Sequence, residues 1–232
     1  MSHMTFPRRL ETELLDVLPA DDPAAVRSRR DLRLLNAVML HPGIMSRRMR
    51  RHAVEAPRRI IELGAGDGSL MLRLCRRLAR HWSGVTTILV DRQDIVTPKT
   101  RQAIAELGWR EDRITQDVFE YLAVAEPADI IITNLFLHHF QPPQLTEIFK
   151  QCAKLSPVLI ALEPRRGILP LVGSRLVGLL GCNHVSRHDA VASVRAGFRH
   201  RELSALWPHR QGWRFYEGRV GLWSHCFVAL KC

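Results

Sequence analysis

Apolar and polar positions along this chain alternate between two rhythms. Short apolar runs, bounded by glycine, proline or a carboxylate, read as buried strands at Arg59–Leu63, Thr86–Asp91, Arg113–Val118, Ala128–Asn134 and Val158–Glu163. Between them lie segments with helical spacing. Leu70, Leu74 and Leu78 recur after a glycine-rich turn, in a helix predicted from Ser69 to about His81. Thr97-Pro98 is a capping residue followed by proline at the first helical position, and Gly108 closes that helix. Gln144 to Leu155 forms another helix, broken by Ser156-Pro157. Strand alternating with helix predicts a parallel sheet covered on both faces. The end of the chain changes rhythm: residues 212–220 and 222–230 read as two antiparallel strands joined near Gly218 and Gly221.

The turn after the first strand carries the densest information. Glu62-Leu63-Gly64-Ala65-Gly66-Asp67-Gly68-Ser69 runs from a strand end into a helix start. Glycines there let the backbone approach a ligand closely and adopt positive φ at little cost. The helix that follows aims its free N–H groups at the turn. A dinucleotide fingerprint would place a third glycine at position 69, where Ser69 stands. Glu62 also argues against a bare pyrophosphate, since a carboxylate beside the loop repels it and suits a cationic ligand.

These residues resemble the first motif of class I S-adenosylmethionine-dependent methyltransferases, E/D-x-G-x-G-x-G, at Glu62, Gly64, Gly66 and Gly68. The later strand ends follow the same order. The resemblance implies that Asp91, ending the second strand, accepts the ribose hydroxyls of the cofactor, with Arg92 beside it. It implies that Asp117 meets the adenine amino group and Val118 packs on the ring. Asn134 and Leu135, followed by His138-His139-Phe140, are similar to the fourth motif of small-molecule members. The implied cofactor set is therefore Glu62, Gly64, Ala65, Gly66, Asp91, Arg92, Asp117, Val118, Asn134 and Leu135, with S-adenosylhomocysteine as product. The implied fold is α/β, a Rossmann-like, mostly parallel sheet of seven strands with the last one antiparallel and helices on both faces. An N-terminal helical lid over residues 1–54 precedes the methyltransferase domain at 55–232, and residues 165–211 contribute to the substrate pocket.

Composition narrows the class. A hydrophobic fraction of 46% with 25% charged residues fits one soluble globular unit of 232 residues. Five cysteines without a C-x-x-C pair point to a reduced, cytoplasmic setting and away from structural zinc. Met1-Ser2-His3-Met4 reads as a remnant of an expression tag (residues 1–3), and no signal-peptide pattern follows.

The net charge of +11 is unevenly placed. Residues 60–164 hold 11 basic and 13 acidic side chains, a net of −2, whereas residues 165–232 hold 11 and 3, a net of +8. Basic flanks leave RNA, a membrane or an anionic substrate open as partners. The excess is also almost entirely arginine, as a GC-rich genome would give. Asn134-Leu135-Phe136-Leu137 lacks the N/D-P-P-Y/F of enzymes that methylate base amino groups.

Two flanking segments read as a greasy pocket: Pro23–Leu40, with Leu32, Leu35, Val38 and Met39 on one side, and Ile168–Leu180, rich in aliphatics and glycine. The second is too interrupted by Pro170 and Arg175 to span a bilayer. A methyl transfer to oxygen benefits from a base near neutral pKa. His139 and His188 are the candidates. Ser186 and Asp189 have capping-box spacing for the helix that carries His188. Arg165, at the end of the fifth strand, is a candidate for a substrate carboxylate. Asn134 and Glu163 stand alone in sequence, so no metal site is expected. The expected function is methylation of a small, aromatic or polyketide-like metabolite, as in secondary metabolism. The alternatives are an RNA methyltransferase and a non-catalytic cofactor-binding partner.

Overall fold

The computed structural model describes residues 6–53 and 55–232; the start read as a tag remnant lies outside them. In chain order the elements are α1 (Leu14–Val17), α2 (Pro23–Val38), α3 (His41–His52), β1 (Arg59–Leu63), α4 (Ser69–Leu78), β2 (Thr86–Asp91) and α5 (Pro98–Ala105). There follow β3 (Arg110–Thr115), α6 (Val118–Val124), β4 (Ile130–Asn134), a 3-10 turn (Leu137–His139), α7 (Pro142–Leu155), β5 (Val158–Pro164) and α8 (Ile168–Arg175). A second 3-10 turn (Val177–Leu180), α9 (His184–Ala196), α10 (Glu202–Ala205), β6 (Trp213–Val220) and β7 (Ser224–Lys231) complete the chain.

The seven strands form one sheet in the order β3-β2-β1-β4-β5-β7-β6. β1 pairs in parallel with both β2 and β4, which places Leu63 between Val90 and Thr133. Strand order reverses at that point, and open α/β sheets bind ligands in the crevice outside such a reversal. β7 runs antiparallel to its neighbours β5 and β6. The glycine-rich turn therefore leaves the sheet at the crevice.

Each face of the sheet buries its own core. Ile60, Ile132 and Ile160 point to one side, where they meet Met45 and Met49 of α3 and Leu74 and Leu78 of α4. Ile61, Ile131 and Leu159 point to the other, against Phe149 of α7, Trp207 and Phe227. Alternation along each strand is the period-2 geometry of a sheet with two buried faces. α3 belongs to the core rather than to a cover, because Met45 and Met49 are fully buried. Within the N-terminal segment, residues 6–38 and His41 at the start of α3 lie against the carboxyl edge of the sheet.

Several boundaries differ from the sequence expectation. β3 begins at Arg110 and ends at Thr115, three residues earlier than the apolar run suggested at each end. It is an edge strand, and its residues Arg-Glu-Asp-Arg-Ile-Thr carry little apolar signal because one side faces water. Asp117 consequently lies beyond the strand and caps α6, its Oδ1 accepting the Phe119 N–H at 2.9 Å. The helix carrying His188 starts at His184 with Asn183 as its cap, accepting from Ser186 N–H at 2.8 Å. Ser186 and Asp189 therefore sit inside that helix, not at a capping box. The final hairpin turns at Gly221–Trp223, while Gly218 lies within β6. Val38 is half exposed, so the apolar side of α2 is narrower than its sequence suggests. Asp22 and Thr97 cap α2 and α5 as their sequence positions require.

Candidate active site

The crevice is lined first by the turn between β1 and α4. Gly64, Gly66 and Gly68 all adopt positive φ, at 73°, 55° and 70°. Gly64 is also close-packed: a Cβ there would lie 2.3 Å from Cδ2 of Phe136. Gly64 and Ala65 donate to the carbonyl of Val90 at 2.9 and 3.0 Å, which ties the turn to β2. The Gly66 N–H donates to Asp91 Oδ2 at 2.8 Å, while Asp91 Oδ1 accepts from Gln93 N–H at 3.0 Å. Asp91 thus braces the glycine turn and faces the crevice half-exposed. Arg92 next to it is exposed.

Glu62 lies beneath this turn with 1% of its surface exposed. Its Oε2 has no hydrogen-bond partner in the protein. Burial, then the charges of Asp67 and Asp91, push its carboxyl well above the usual carboxylate range. An acid held in its neutral form by burial, and further by two neighbouring carboxylates, is poised to ionise when a cation arrives.

α2 covers the crevice with three polar residues on one face. Arg29 donates to Gln93 Oε1 at 3.2 Å, Arg33 pairs with Asp67 at 2.5 Å, and Asn36 accepts from Asn134 Nδ2 at 3.0 Å. Their spacing, four then three residues, is that of one helix face. Asn134 is held from its other side as well, because its Oδ1 accepts from His41 Nδ1 at 2.6 Å. His41 Nε2 lies 2.7 Å from Ser224 Oγ on β7. Burial brings the His41 pKa down to about 4, against the opposing pull of Asn134 and Glu163, so this imidazole is neutral. Leu135 follows in a left-handed conformation, φ 52°, which swings Phe136 back over Gly64.

A second group of titratable side chains gathers at the ends of β4 and β5. Glu163 is fully buried, accepting N–H bonds from Phe136 and Leu137 at 3.1 and 2.9 Å and lying 2.8 Å from His138 Nδ1. The His138 Nε2 lies 3.2 Å from Glu13 Oε1 in the segment before α1. Burial alone would lower the His138 pKa, but hydrogen bonds to Glu13 and Glu163 outweigh it and raise it to about 9. His138 is therefore a buried cation between two carboxylates. Burial pulls both acids upward, yet their bonds to His138 hold them below the usual range. Glu13 is also tied to Ser193 of α9. Arg8 completes the strap by donating to the carbonyls of Ala196 and His138 at 2.7 and 2.9 Å.

The two candidate bases do not share one environment. His139 is 26% exposed and its Nδ1 lies 3.3 Å from Asp16. His188 is 46% exposed on α9, 2.9 Å from Asp189, whose carboxylate is already committed to Leu14 and Leu15 N–H. Glu163, read from sequence as isolated, is instead the centre of a network. Glu13, His138 and His139 present ligand atoms within 4.8 Å of one another, the geometry an ion would need. Of these, His138 is bonded to Glu13 and Glu163, while His139 faces Asp16. Arg165 is partly buried with an unpartnered Nε, whereas its neighbour Arg166 is bound to Glu202 and the Phe6 carbonyl. Two open surface cavities are lined by Arg58, Lys154 and Lys231, and by Arg101, Glu111 and Tyr121; neither borders the glycine turn. Of the 168–180 stretch expected to form a greasy pocket with α2, Ile168, Leu169, Val172, Leu176, Leu179 and Leu180 are exposed.

Comparison with known proteins matches residues 60–156 to a sequence family described as a methyltransferase domain. None of the curated proteins matches in sequence. Solved structures resemble the fold at low identity. The plantazolicin methyltransferase BamL, solved with a triazolic desmethylPZN analog and SAH, aligns at TM-score 0.65 and 13% identity, over 94% of this chain and 92% of its own. Magnesium protoporphyrin IX methyltransferase from Synechocystis PCC 6803 aligns at 0.53 and 14%, over 94% and 91%. An O-methyltransferase family protein from Burkholderia thailandensis aligns at 0.57 and 17%, over 91% of this chain and 61% of that longer one.

Proposed function

We propose, because residues 60–156 match a methyltransferase-domain family and the sheet has the order β3-β2-β1-β4-β5-β7-β6, that this protein is an enzyme transferring the methyl group of S-adenosylmethionine to oxygen or carbon of a small, aromatic or polyketide-like metabolite. The observation that carries the cofactor assignment is the orphaned Oε2 of Glu62, buried beneath three positive-φ glycines. A cationic amino-acid ligand satisfies that oxygen, whereas a nicotinamide dinucleotide would bring its pyrophosphate to a carboxylate.

Bound there, S-adenosylmethionine supplies an electrophilic methyl on a good leaving group. The protein aligns the partners and excludes water. Gly64, Ala65 and Gly66 offer backbone to the amino-acid end. Asp91 and Arg92 take the ribose, Asp117 and Val118 the adenine. Asn134 and Leu135 close the crevice by anchoring α2 and Phe136. A hydroxyl nucleophile must also lose its proton. His138 already holds one between two carboxylates, so His139 is the acceptor, half-buried at the same strand end. His188 serves instead if substrate lies against α9. The S-adenosylhomocysteine-bound and small-molecule neighbours support the same reading.

Arginine use weakens the RNA alternative. Arg33, Arg166 and Arg195 are engaged in internal ion pairs and Arg8 in backbone bonds, so part of the basic excess is structural. A non-catalytic binder would bind cofactor without turnover. The experiment is transfer from methyl-labelled S-adenosylmethionine to an organic extract, total RNA and total protein. Label in the organic phase, lost in Glu62→Gln, supports the proposal. Label confined to RNA or protein, or binding without transfer, overturns it.

A further inference from the structure

The arm that follows β5 leaves a continuous aliphatic face in water. Ile168, Leu169, Val172 and Leu176 follow one another along one side of α8, and the 3-10 turn adds Leu179 and Leu180. They are between 46% and 83% exposed, Leu179 most of all. Trp223 packs against Gly173, where a Cβ would lie 2.4 Å from its ring, and so brings the half-exposed Leu222 alongside the arm. Scattered exposed leucines need no explanation, but a contiguous run of this kind marks an interaction surface.

Charge identifies the partner. Residues 164–201 contain seven arginines, of which Arg166 and Arg195 are paired with Glu202 and Glu11, and a single acidic residue, Asp189. Asp189 is buried and capped by the Leu14 and Leu15 N–H groups, so it offers nothing to the surface. Arg175 is exposed on α8 itself, and the Arg187 side chain lies 3.4 Å from the Cβ position of Gly178 in the following turn. Arg199 and Arg219 lie near enough to Arg165, at the base of the arm, for their charges to act on it. A second copy of this chain would bring two such arginine-rimmed faces together and be repelled. A surface that is apolar within and negative outside suits both features.

We propose that α8 and the turn after it dock on an anionic lipid bilayer, with the leucines at the acyl boundary and the arginines among the phosphates. The arm is too short to cross, and no described helix is long and apolar enough to do so. Since α8 starts close after the carboxyl end of β5, docking brings the edge that carries the glycine turn to the membrane surface. On the methyl-transfer reading above, the substrate pool then includes membrane-dissolved amphiphiles; the docking itself does not depend on that reading.

Co-sedimentation of the full chain with phosphatidylcholine vesicles, and with mixed phosphatidylcholine–phosphatidylglycerol vesicles, tests the proposal without any activity. Binding is expected to the mixed vesicles alone, weakening as salt rises. The double substitution Leu176→Glu with Leu179→Glu should lower that binding at least about tenfold. Both side chains are exposed, so thermal unfolding and cofactor titration of the variant should match the parent. No vesicle binding by the parent, equal binding by parent and variant, or a dimer that the variant dissolves would each overturn it.

Discussion

The two halves of the crevice are built in opposite ways. On the β1–β2 side, the site is local: three glycines, Glu62 and Asp67 fall within seven residues, and Asp91 reaches them through one backbone bond. On the β4–β5 side, the site is assembled from afar. His138 meets Glu13 across 125 positions, and Arg8 reaches the Ala196 carbonyl across 188. The first half holds a ligand-facing carboxyl that the protein alone leaves unsatisfied. The second is already satisfied, with His138 bonded on both ring nitrogens. One half is prepared for a ligand and the other holds the cover in place. Substitutions should therefore separate affinity from stability.

The largest effect is expected from Glu163→Ala. It leaves the buried His138 with one carboxylate fewer and the Phe136, Leu137 and His138 N–H groups without this acceptor, at about 3–5 kcal/mol of stability. Chemical denaturation measures it, and a loss below about 1 kcal/mol would mean the network is incidental. Gly64→Ala forces both a left-handed alanine and a displacement of Phe136, at about 2–4 kcal/mol. That substitution should also weaken cofactor binding, since it displaces Phe136 from its place against the glycine turn. Asp91→Ala should weaken the cofactor by about 1.5–3 kcal/mol, the size of one charge-assisted hydrogen bond, with stability changed far less than by Glu163→Ala.

pH sharpens the same contrast. The folded-state pKa of His138, about 9, exceeds its ordinary value of 6.5. The Glu13 and Glu163 carboxylates lose their own contribution at acid pH, as they protonate. While they are ionised, the His138 contribution is complete below about 6.5, and it is lost as pH rises through 9. Thermal midpoints should fall across this window, and the fall should vanish in Glu13→Gln with Glu163→Gln. Glu62 is also shifted upward, so its cost to the unliganded fold grows with pH above the usual carboxylate range. The smallest effect should come from Arg33→Ala: this pair is 41% exposed on the arginine side, worth less than about 1 kcal/mol.

The same division explains what was legible in the sequence. Strand ends and the glycine turn are encoded by neighbours, so β1, β2, β4 and β5 fall within a few residues of their expected places. β3 was displaced because an edge strand rich in Arg, Glu and Asp carries no buried run. His41, Asn36, Glu13 and Arg8 had no signal at all: each is an ordinary residue in a flanking segment until the fold brings it to the β4 and β5 ends. His138 looked equivalent to His139 as a neighbour in one motif. The bonds to Glu13 and Glu163 outweigh burial and make His138 a fixed cation, while His139 stays partly exposed beside Asp16. The 168–180 stretch was legible as apolar, but its face turned outward rather than toward the crevice.

Isothermal titration with S-adenosylmethionine, run on the parent chain, Asp91→Ala and Glu13→Gln, tests the central claim most directly. The account predicts one saturable site in the parent, an affinity lowered roughly ten- to hundredfold in Asp91→Ala, and unchanged affinity in Glu13→Gln despite its lower stability. No binding by the parent, or equal losses in the two variants, would contradict both the cofactor assignment and the division of the crevice into a binding half and a holding half.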